Sequence, residues 1–482
     1  MTTSQLDQPV ATRRDWAGLA VILCATFMGQ VDGFIVTLAA PSIQRDLPAG
    51  FDQIQLVGAA YVLACAAGLI TGGRIGDRYG RRRTFLAGVA VFTAASLACG
   101  LAPNADLLIA ARFLQGAAAA ALVPQELALI RAMFARDGER TRAIGVYGVV
   151  IGLGVICGLA GGGFLVRMDV AGLGWRTAFL INVPIGAVIL LLGRGTIPES
   201  RSSRAPTLDP AGVALTAVAL PALLLPLVIG SGWVWLSVVV AVAALAALVP
   251  QQRAVAARGG EPLFPPRVLG ARGMLAGLAA ILTFFGGNAG LFLVFTYYVQ
   301  TGLGMDPLAA GFMLVPLGAG FSFGSSVSGR LVARFGPLVP VAGYAFLALS
   351  LLAHIPVVWG APGAQPVLLA VAIGVVGLAE GLVVSPLIAG IFDQVAPDDA
   401  GAASGVASTV TQFGLGTGYA AIGTWYGLVL GGTPGAADAP SDLGAHVQAY
   451  TAAILVLSTL ALITSGLCAL RLTGRRRLEP AG

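Results

Sequence analysis

The chain has 482 residues, 57% of them hydrophobic and 10% charged, with a formal net charge of +6. A soluble domain carries about a quarter charged residues, so this composition excludes a water-surrounded globule and requires lipid over most of the surface. All 28 basic residues are arginines clustered between apolar segments, so the positive charge reports membrane topology and not nucleic-acid binding.

At roughly 20 apolar residues per crossing, the sequence predicts fourteen spans. They are 16–40, 54–74, 84–103, 106–131, 143–166, 177–194, 210–230, 233–250, 273–300, 308–329, 338–358, 365–392, 404–432 and 449–470. The first is too long for a signal-peptide core and lacks a small-residue cleavage site, so it is expected to stay as a span. With both termini on one side, twenty-four arginines fall on that side and three on the other, and Arg112 alone lies within a span. That bias predicts cytoplasmic termini. The five cysteines lie in apolar segments without metal-ligand spacing and read as packing residues, so no metal or cofactor is expected. The absence of lysine excludes a Walker loop, and with it ATP-driven transport by this chain. No H-E-x-x-H motif offers enzyme chemistry, and no enzyme is expected.

The chain repeats itself. Gly73-Arg-Ile-Gly-Asp-Arg-Tyr-Gly80 returns 256 positions later as Gly329-Arg-Leu-Val-Ala-Arg-Phe-Gly336. The same offset carries Gly158 onto Gly414 and Gly162 onto Gly418, and Thr26-Phe-Met-Gly29 aligns with Thr283-Phe-Phe-Gly286. Spans nine to fourteen therefore repeat spans one to six, with 210–250 inserted between them. The expected fold is an all-α polytopic membrane protein: two pseudosymmetric six-helix bundles plus two inserted helices. The divisions are a cytoplasmic tail (1–15), a first bundle (16–194), a linker with two extra helices (195–272), a second bundle (273–470) and a basic cytoplasmic tail (471–482).

Several stretches together resemble one family. Gly73 to Arg82, with Asp77, Arg78, Gly80 and Arg81, is similar to the superfamily loop G-x-x-x-D-R-x-G-R-R. Arg112-Phe-Leu-Gln115-Gly116 matches R-x-x-Q-G of span four. Gly154, Gly158 and Gly162 follow the span-five antiporter pattern, with Leu159 where proline is usual. Val31-Asp32 to Pro41 is similar to L-D-x-T-I-V-N-V-A-L-P, with Phe34, Thr37 and Ala40 as departures, and Trp175 to Gly186, containing Asn182, is a further match. On these residues the chain resembles the major facilitator superfamily, in its fourteen-span drug:proton antiporter branch. The resemblance implies the major facilitator fold and alternating-access export of drugs or amphiphilic molecules by proton antiport across a bacterial cytoplasmic membrane. Its rivals are proton-coupled transport of one specific metabolite and a non-transporting receptor or structural protein.

Charges at bilayer depth cost at least ~2.5–3.5 kcal/mol, which singles out Asp32, Glu126, Glu380 and Arg112 as proton-coupling candidates. Asp32 lies about 13 Å below the outer end of span one and Arg112 about 9 Å below the same face. The resemblance makes spans one and four neighbours, so the two form either a proton switch or a static pair. Glu126 reads as a gate or a local ion pair near Arg131, and Glu380 as a cation site, a second proton site or a neutral carboxyl hydrogen-bonded to a neighbouring helix. The loop Gly73–Arg83 is read as a tight turn whose Asp77 caps the start of span thirteen near Ser404, latching the halves on the inside. Gln115 and Gly116 join the gating motif, and the span-five glycines serve close helix approach. Gln30, Phe34, Phe284, Asn288, Phe292 and Glu380 are the expected substrate-binding residues. An aromatic, weakly polar cavity suits a lipophilic or cationic drug-like molecule. The partners are that molecule, protons and membrane lipid, for a monomer. His354 reads as interfacial and His446 as a loop residue.

Overall fold

In hydrocarbon the backbone must satisfy its own N–H and C=O groups, so apolar segments of this length fold as helices. The computed structural model describes residues 10–169, 172–201, 207–228, 234–271, 273–336, 338–360, 365–392, 394–395, 399–431 and 443–476. Five long helices come first: α1 (Arg13–Asp46), α2 (Phe51–Tyr79), α3 (Arg81–Gly100), α4 (Ala105–Met133) and α5 (Asp137–Met168). A 3₁₀ turn (Gly174–Arg176), α6 (Thr177–Leu180) and α7 (Asn182–Thr196) occupy the sixth segment. The inserted pair is α8 (Pro210–Val228) and α9 (Val234–Ala257). A short α10 (Pro266–Leu269) precedes α11 (Met274–Tyr297), which closes in a π turn (Tyr298–Gly302). Then follow α12 (Pro307–Phe335), α13 (Leu338–Leu352), α14 (His354–Gly360), α15 (Gln365–Phe392), α16 (Ala400–Leu430) and α17 (Leu443–Arg476). Among the described residues there is no strand, and eleven helical stretches are long and apolar enough to cross a membrane.

The core of every predicted segment falls on helix, but the helices run past the apolar limits. α1 continues through Pro41 to Asp46, and α5 starts at Asp137. Apolarity marks only the lipid-facing stretch, whereas backbone hydrogen bonds continue into the polar ends. The eleventh segment is interrupted between α13 and α14, and the sixth is built in three pieces. Helix starts carry the expected chemistry: Asn104 Oδ1 accepts the Leu107 N–H at 2.9 Å. Asp306, before Pro307, accepts from Leu308 and Ala309. Such caps contribute about 1 kcal/mol each.

The chain divides into two compact units. The first takes the chain up to 39 with 60–223 and 235–263; the second takes 40–59, 224–234 and the chain from 264. Within the first, α5 lies against α1 along its glycines: a methyl on Gly154 would meet Gln30, on Gly158 Val31 and Phe34, and on Gly162 Ile35. Within the second, α16 lies against α11 in the same way, with Gly414 on Leu282 and Gly418 on the Gly286 carbonyl. The fifth helix of each repeat thus packs on the first through small residues, the route to close contact where lipid gives helices no hydrophobic drive to associate. The second unit also includes Gln44 and Gln55, which accept hydrogen bonds from the Tyr297 hydroxyl at 2.7 Å and the Thr424 hydroxyl at 3.1 Å.

Candidate functional site: a buried ion pair and a half-satisfied carboxylate

The first unit holds a charged cluster closed off from water. Asp32 on α1 and Arg112 on α4 are 0% and 1% exposed. Arg112 Nη1 donates to Asp32 Oδ2 at 2.6 Å. The other oxygen, Oδ1, accepts from Gln115 Nε2 at 2.8 Å and from Asn182 Nδ2 at 2.9 Å. Ser96 on α3 ties the amides together, accepting from Gln115 at 3.2 Å and Asn182 at 2.9 Å and donating to the Phe179 carbonyl. Arg112 also donates to Gln115 Oε1 at 2.8 Å and lies 4.3 Å from the Tyr61 ring centroid. A buried pair offsets its desolvation only when the remaining lone pairs and N–H groups are also met; here both carboxylate oxygens are. Arg112 has further partners besides the acid, so loss of the carboxylate charge would leave the guanidinium held.

Asp32 and Arg112, expected on neighbouring helices, are in direct contact. Gln115, expected in the gating motif, is a direct ligand of the acid. Asn182, a ligand of the acid, and Ser96, which holds the two amide ligands, are not among the expected site residues. Asn182 carried a signal, since it stands within the Trp175–Gly186 stretch; Ser96 carried none.

Glu126 lies elsewhere in the first unit, 3% exposed. Its Oε2 accepts from the Thr26 hydroxyl at 2.9 Å and the Tyr147 hydroxyl at 3.1 Å. Among the described residues it makes no ion pair, so the expected arginine partner is replaced by two hydroxyls. These bring α1, α4 and α5 to one acid.

The basic stretch after span two differs from the expected loop. α2 continues as helix to Tyr79, and only Gly80 leaves it, at φ 115°. Gly76 is therefore helical; it lies against the Gln125 side chain, whose amide donates to the Gly72 carbonyl at 2.8 Å. Asp77 accepts from Arg81 at 2.7 and 3.0 Å. Arg74, beside Gly73, donates to the carbonyls of Thr207, Glu261 and Pro262, which flank the inserted pair. Arg81 N–H donates to the Ser200 carbonyl, and Arg82 N–H to Glu199 Oε1. Arg78 lies over the Tyr79 ring, and its repeat partner Arg334 over Phe335. Within the first unit this motif stitches α2 and α3 to the linkers of the inserted helices.

In the second unit Glu380 on α15 is 2% exposed. Oε1 accepts from Asn288 of α11 at 3.0 Å, and Oε2 has no partner. Glu380, Asn288 and Phe284 line a cavity between α11, α13, α15 and α17. Phe292 is buried and does not line it. Gln30 and Phe34 are half-buried in the first unit, against Gly154 and Gly158, with open space beside Gly29 and Gly33. Gly116 lies against the Tyr61 carbonyl.

Of the two histidines, only His446 departs from expectation. His354 is buried, with Nδ1 at 3.2 Å from the Ser350 and Leu351 carbonyls. His446 lies in α17, not in a loop, and is hydrogen-bonded to Tyr426 at 2.8 Å.

Apolar helices long enough to cross a membrane, a buried ion pair and duplicated motifs are the features of a polytopic transporter fold, and comparison with known proteins agrees. Residues 22–419 match the Major Facilitator Superfamily. The chain belongs to that family. It is 36% identical over 430 residues to a probable actinorhodin transporter of Streptomyces coelicolor, covering 88% of this chain and 74% of that protein. It is 38% identical to the puromycin resistance protein pur8 of Streptomyces alboniger, covering 85% of this chain and 82% of that one. Its fold is similar to that of a bacterial homologue of the human lysosomal transporter Spinster, with TM-score 0.70 at 17% identity over 98% of this chain and 100% of that chain.

Proposed function

We propose that the chain exports drugs or amphiphilic small molecules across the bacterial cytoplasmic membrane by proton antiport, through fourteen crossings with both termini inside. The Asp32–Arg112 pair carries this reading. An acid and a base buried in a unit of a transporter family are costly unless they work, and one proton on Asp32 converts a charged pair into a lone cation with other partners to fall back on. Each charge moved across the membrane supplies ~2.3 kcal/mol per 100 mV. A carboxylate loaded from one side and emptied to the other converts that supply into motion of two bundles. Relatives named for antibiotic transport and resistance support export. Glu126, tied to α1 and α5 by hydroxyls, serves as a second proton group. Asp77 serves as an inner latch in the outward-open state, and the glycines of α5 and α16 as sliding contacts.

A narrower substrate range, one metabolite in place of many, is favoured by one observation: both relatives above are named for a single antibiotic. Purified protein in liposomes with an imposed pH gradient tests the coupling. Substrate should accumulate on the acidic side and equilibrate when an uncoupler is added. Accumulation indifferent to the gradient would exclude antiport, and a panel of dyes and antibiotics in the same assay separates the broad range from the narrow one.

A further inference from the structure

At one end of the first unit, arginines gather without acids to hold them. Several arginines elsewhere are paired: Arg81 with Asp77, Arg140 with Asp137, Arg82 and Arg83 beside Glu199, and Arg267 with Asp399. Arg13, at the start of α1, and Arg194, in the last turn of α7, are exposed and meet no acid among the described residues. Arg14 is exposed as well, and its Nε donates to the Gly195 carbonyl at 2.8 Å, which sets the start of α1 beside the end of α7. Asp15 and Glu139 are engaged by other donors. Asp15 accepts from Thr12 at 2.7 and 2.8 Å, and Glu139 from the Ala11 N–H at 3.0 Å.

Topology asks for arginines on one side of the membrane, not for three at one spot. A helix N-terminus already carries the positive end of the dipole, so two arginines opening α1 are placed against it. The repeat does not share them. The register that aligns Thr26 with Thr283 sets Gly270 and Ala271 opposite Arg13 and Arg14. An anion brought to this mouth relieves the crowding of positive charge.

Below the arginines lies an apolar strip. Ala17, Ala20 and Cys24 follow Arg13 at helical spacing on one face of α1, and all three are exposed. α7 runs alongside: a methyl on Gly18 would meet the Thr196 carbonyl, and one on Gly193 would touch Val21. Its Val188 and Leu191 are exposed. Small side chains beside large ones make a shallow groove headed by arginines. Trp16, half-buried with Arg142 over its ring at 5.3 Å, marks the headgroup level.

That combination selects an occupant. An acidic peptide would match the arginines but not a strip at hydrocarbon depth. A zwitterionic lipid would fill the strip but bring its own cation to the mouth. An anionic phospholipid supplies both parts: phosphate oxygens that suit the guanidinium fork, joined to acyl chains. We infer that the mouth formed by Arg13, Arg14 and Arg194, with the groove between α1 and α7, binds one anionic phospholipid. The bound lipid braces α1 against α7, the helices whose Asp32 and Asn182 meet at 2.9 Å.

The test is lipid binding to the full-length, delipidated protein in detergent, read by native mass spectrometry. The probes are dioleoylphosphatidylglycerol and dioleoylphosphatidylcholine, which share their acyl chains. The anionic lipid should bind roughly tenfold or more tightly, as expected where several arginines face the headgroup. Arg13→Gln, Arg14→Gln and Arg194→Gln combined should bring the two lipids to within about twofold. Arg253→Gln, Arg258→Gln and Arg330→Gln combined remove the same charge from exposed positions outside the mouth and should leave the preference intact. Millimolar sn-glycerol 3-phosphate, a headgroup without chains, should not displace the lipid; displacement would make this a free-phosphate site and overturn the inference. Equal affinities in the unmodified protein would overturn it too, and that comparison decides the matter even if a variant fails to fold. So would a preference that survives the first triple variant, or one that both triple variants abolish alike.

Discussion

Gly80 and Gly336, which align in the internal repeat, both turn the chain at positive φ, 115° and 59°. Each ends a long helix, α2 in one case and α12 in the other, and each follows an aromatic residue over which an arginine lies. The repeat therefore extends to the sign of φ, although ψ differs, 128° at Gly80 and −138° at Gly336. An L side chain in such sparsely populated backbone regions costs of order ~1–3 kcal/mol. The surroundings differ: a methyl on Gly80 would also press on the Glu199 carboxylate, whereas Gly336 has nothing nearby. Gly80→Ala should therefore lower the melting temperature of the purified protein more than Gly336→Ala. An equal drop would show that backbone strain alone sets the cost.

Asp32→Asn keeps the shape of the acid and removes its charge and its titration. Removing one partner of a buried ion pair costs about 3–5 kcal/mol. Here Gln115 Oε1 and the Tyr61 ring still hold Arg112, so the loss should fall at the lower end and the protein should still insert and elute as one species. Export driven by an imposed pH gradient should fall to background, while exchange of substrate without a gradient persists. Gradient-driven accumulation in this variant would take Asp32 out of the coupling. Arg112→Lys should be nearly as severe, because an ammonium lacks the planar fork that pairs with Asp32 and stacks on Tyr61 at once.

Asn182 and Ser96 make a milder prediction. Asn182→Ala removes a hydrogen bond to the Asp32 carboxylate and one to Ser96, and Ser96→Ala removes the acceptor shared by the two amides and a bond to the Phe179 carbonyl; either leaves a buried polar group unmet, a loss of about 1–3 kcal/mol. Asn182→Ala should slow transport by roughly tenfold, the factor that 1.4 kcal/mol represents, without abolishing it. Ser96→Ala should act similarly, since its hydroxyl bridges both amides. The double variant should lose less than the sum, because the two residues share one network. Strict additivity, measured as a cycle of transport rates, would show that they act separately.

The sequence made the Asp32–Arg112 pair legible because a charge at bilayer depth is rare enough to stand out by itself. Asn182 on the acid, and Ser96 behind its amides, are not legible for the opposite reason. Neutral polar residues are common in spans, and which of them face an acid depends on helix rotation. Asn182 opens α7 after two short pieces, the 3₁₀ turn and α6, a break that no apolar count can place. The turn after span two is shorter than its composition suggests: Arg74, Asp77 and Arg78 end the apolar run, yet the helix carries on to Tyr79. The same extension of helix beyond apolar sequence moved His446 out of a predicted loop and into α17. The repeat fared better, because matched glycines impose matched close contacts whatever surrounds them.

Those glycine contacts give the last prediction. Gly418 faces the Gly286 carbonyl so closely that a methyl group could not be placed without moving α16 away from α11, whereas Gly152 of α5 faces open space. Gly152→Ala should be neutral or stabilise by about 0.5–1 kcal/mol, the gain from replacing glycine within a helix. Gly418→Ala should destabilise by about 1–3 kcal/mol, the usual cost of overpacking, and appear as a lowered melting temperature. If the contact also slides during transport, Gly418→Ala should slow gradient-driven export more than a second variant of equal thermal loss, such as Phe295→Leu in the core of α11. Equal slowing in the two would reduce the glycine stripe to packing alone.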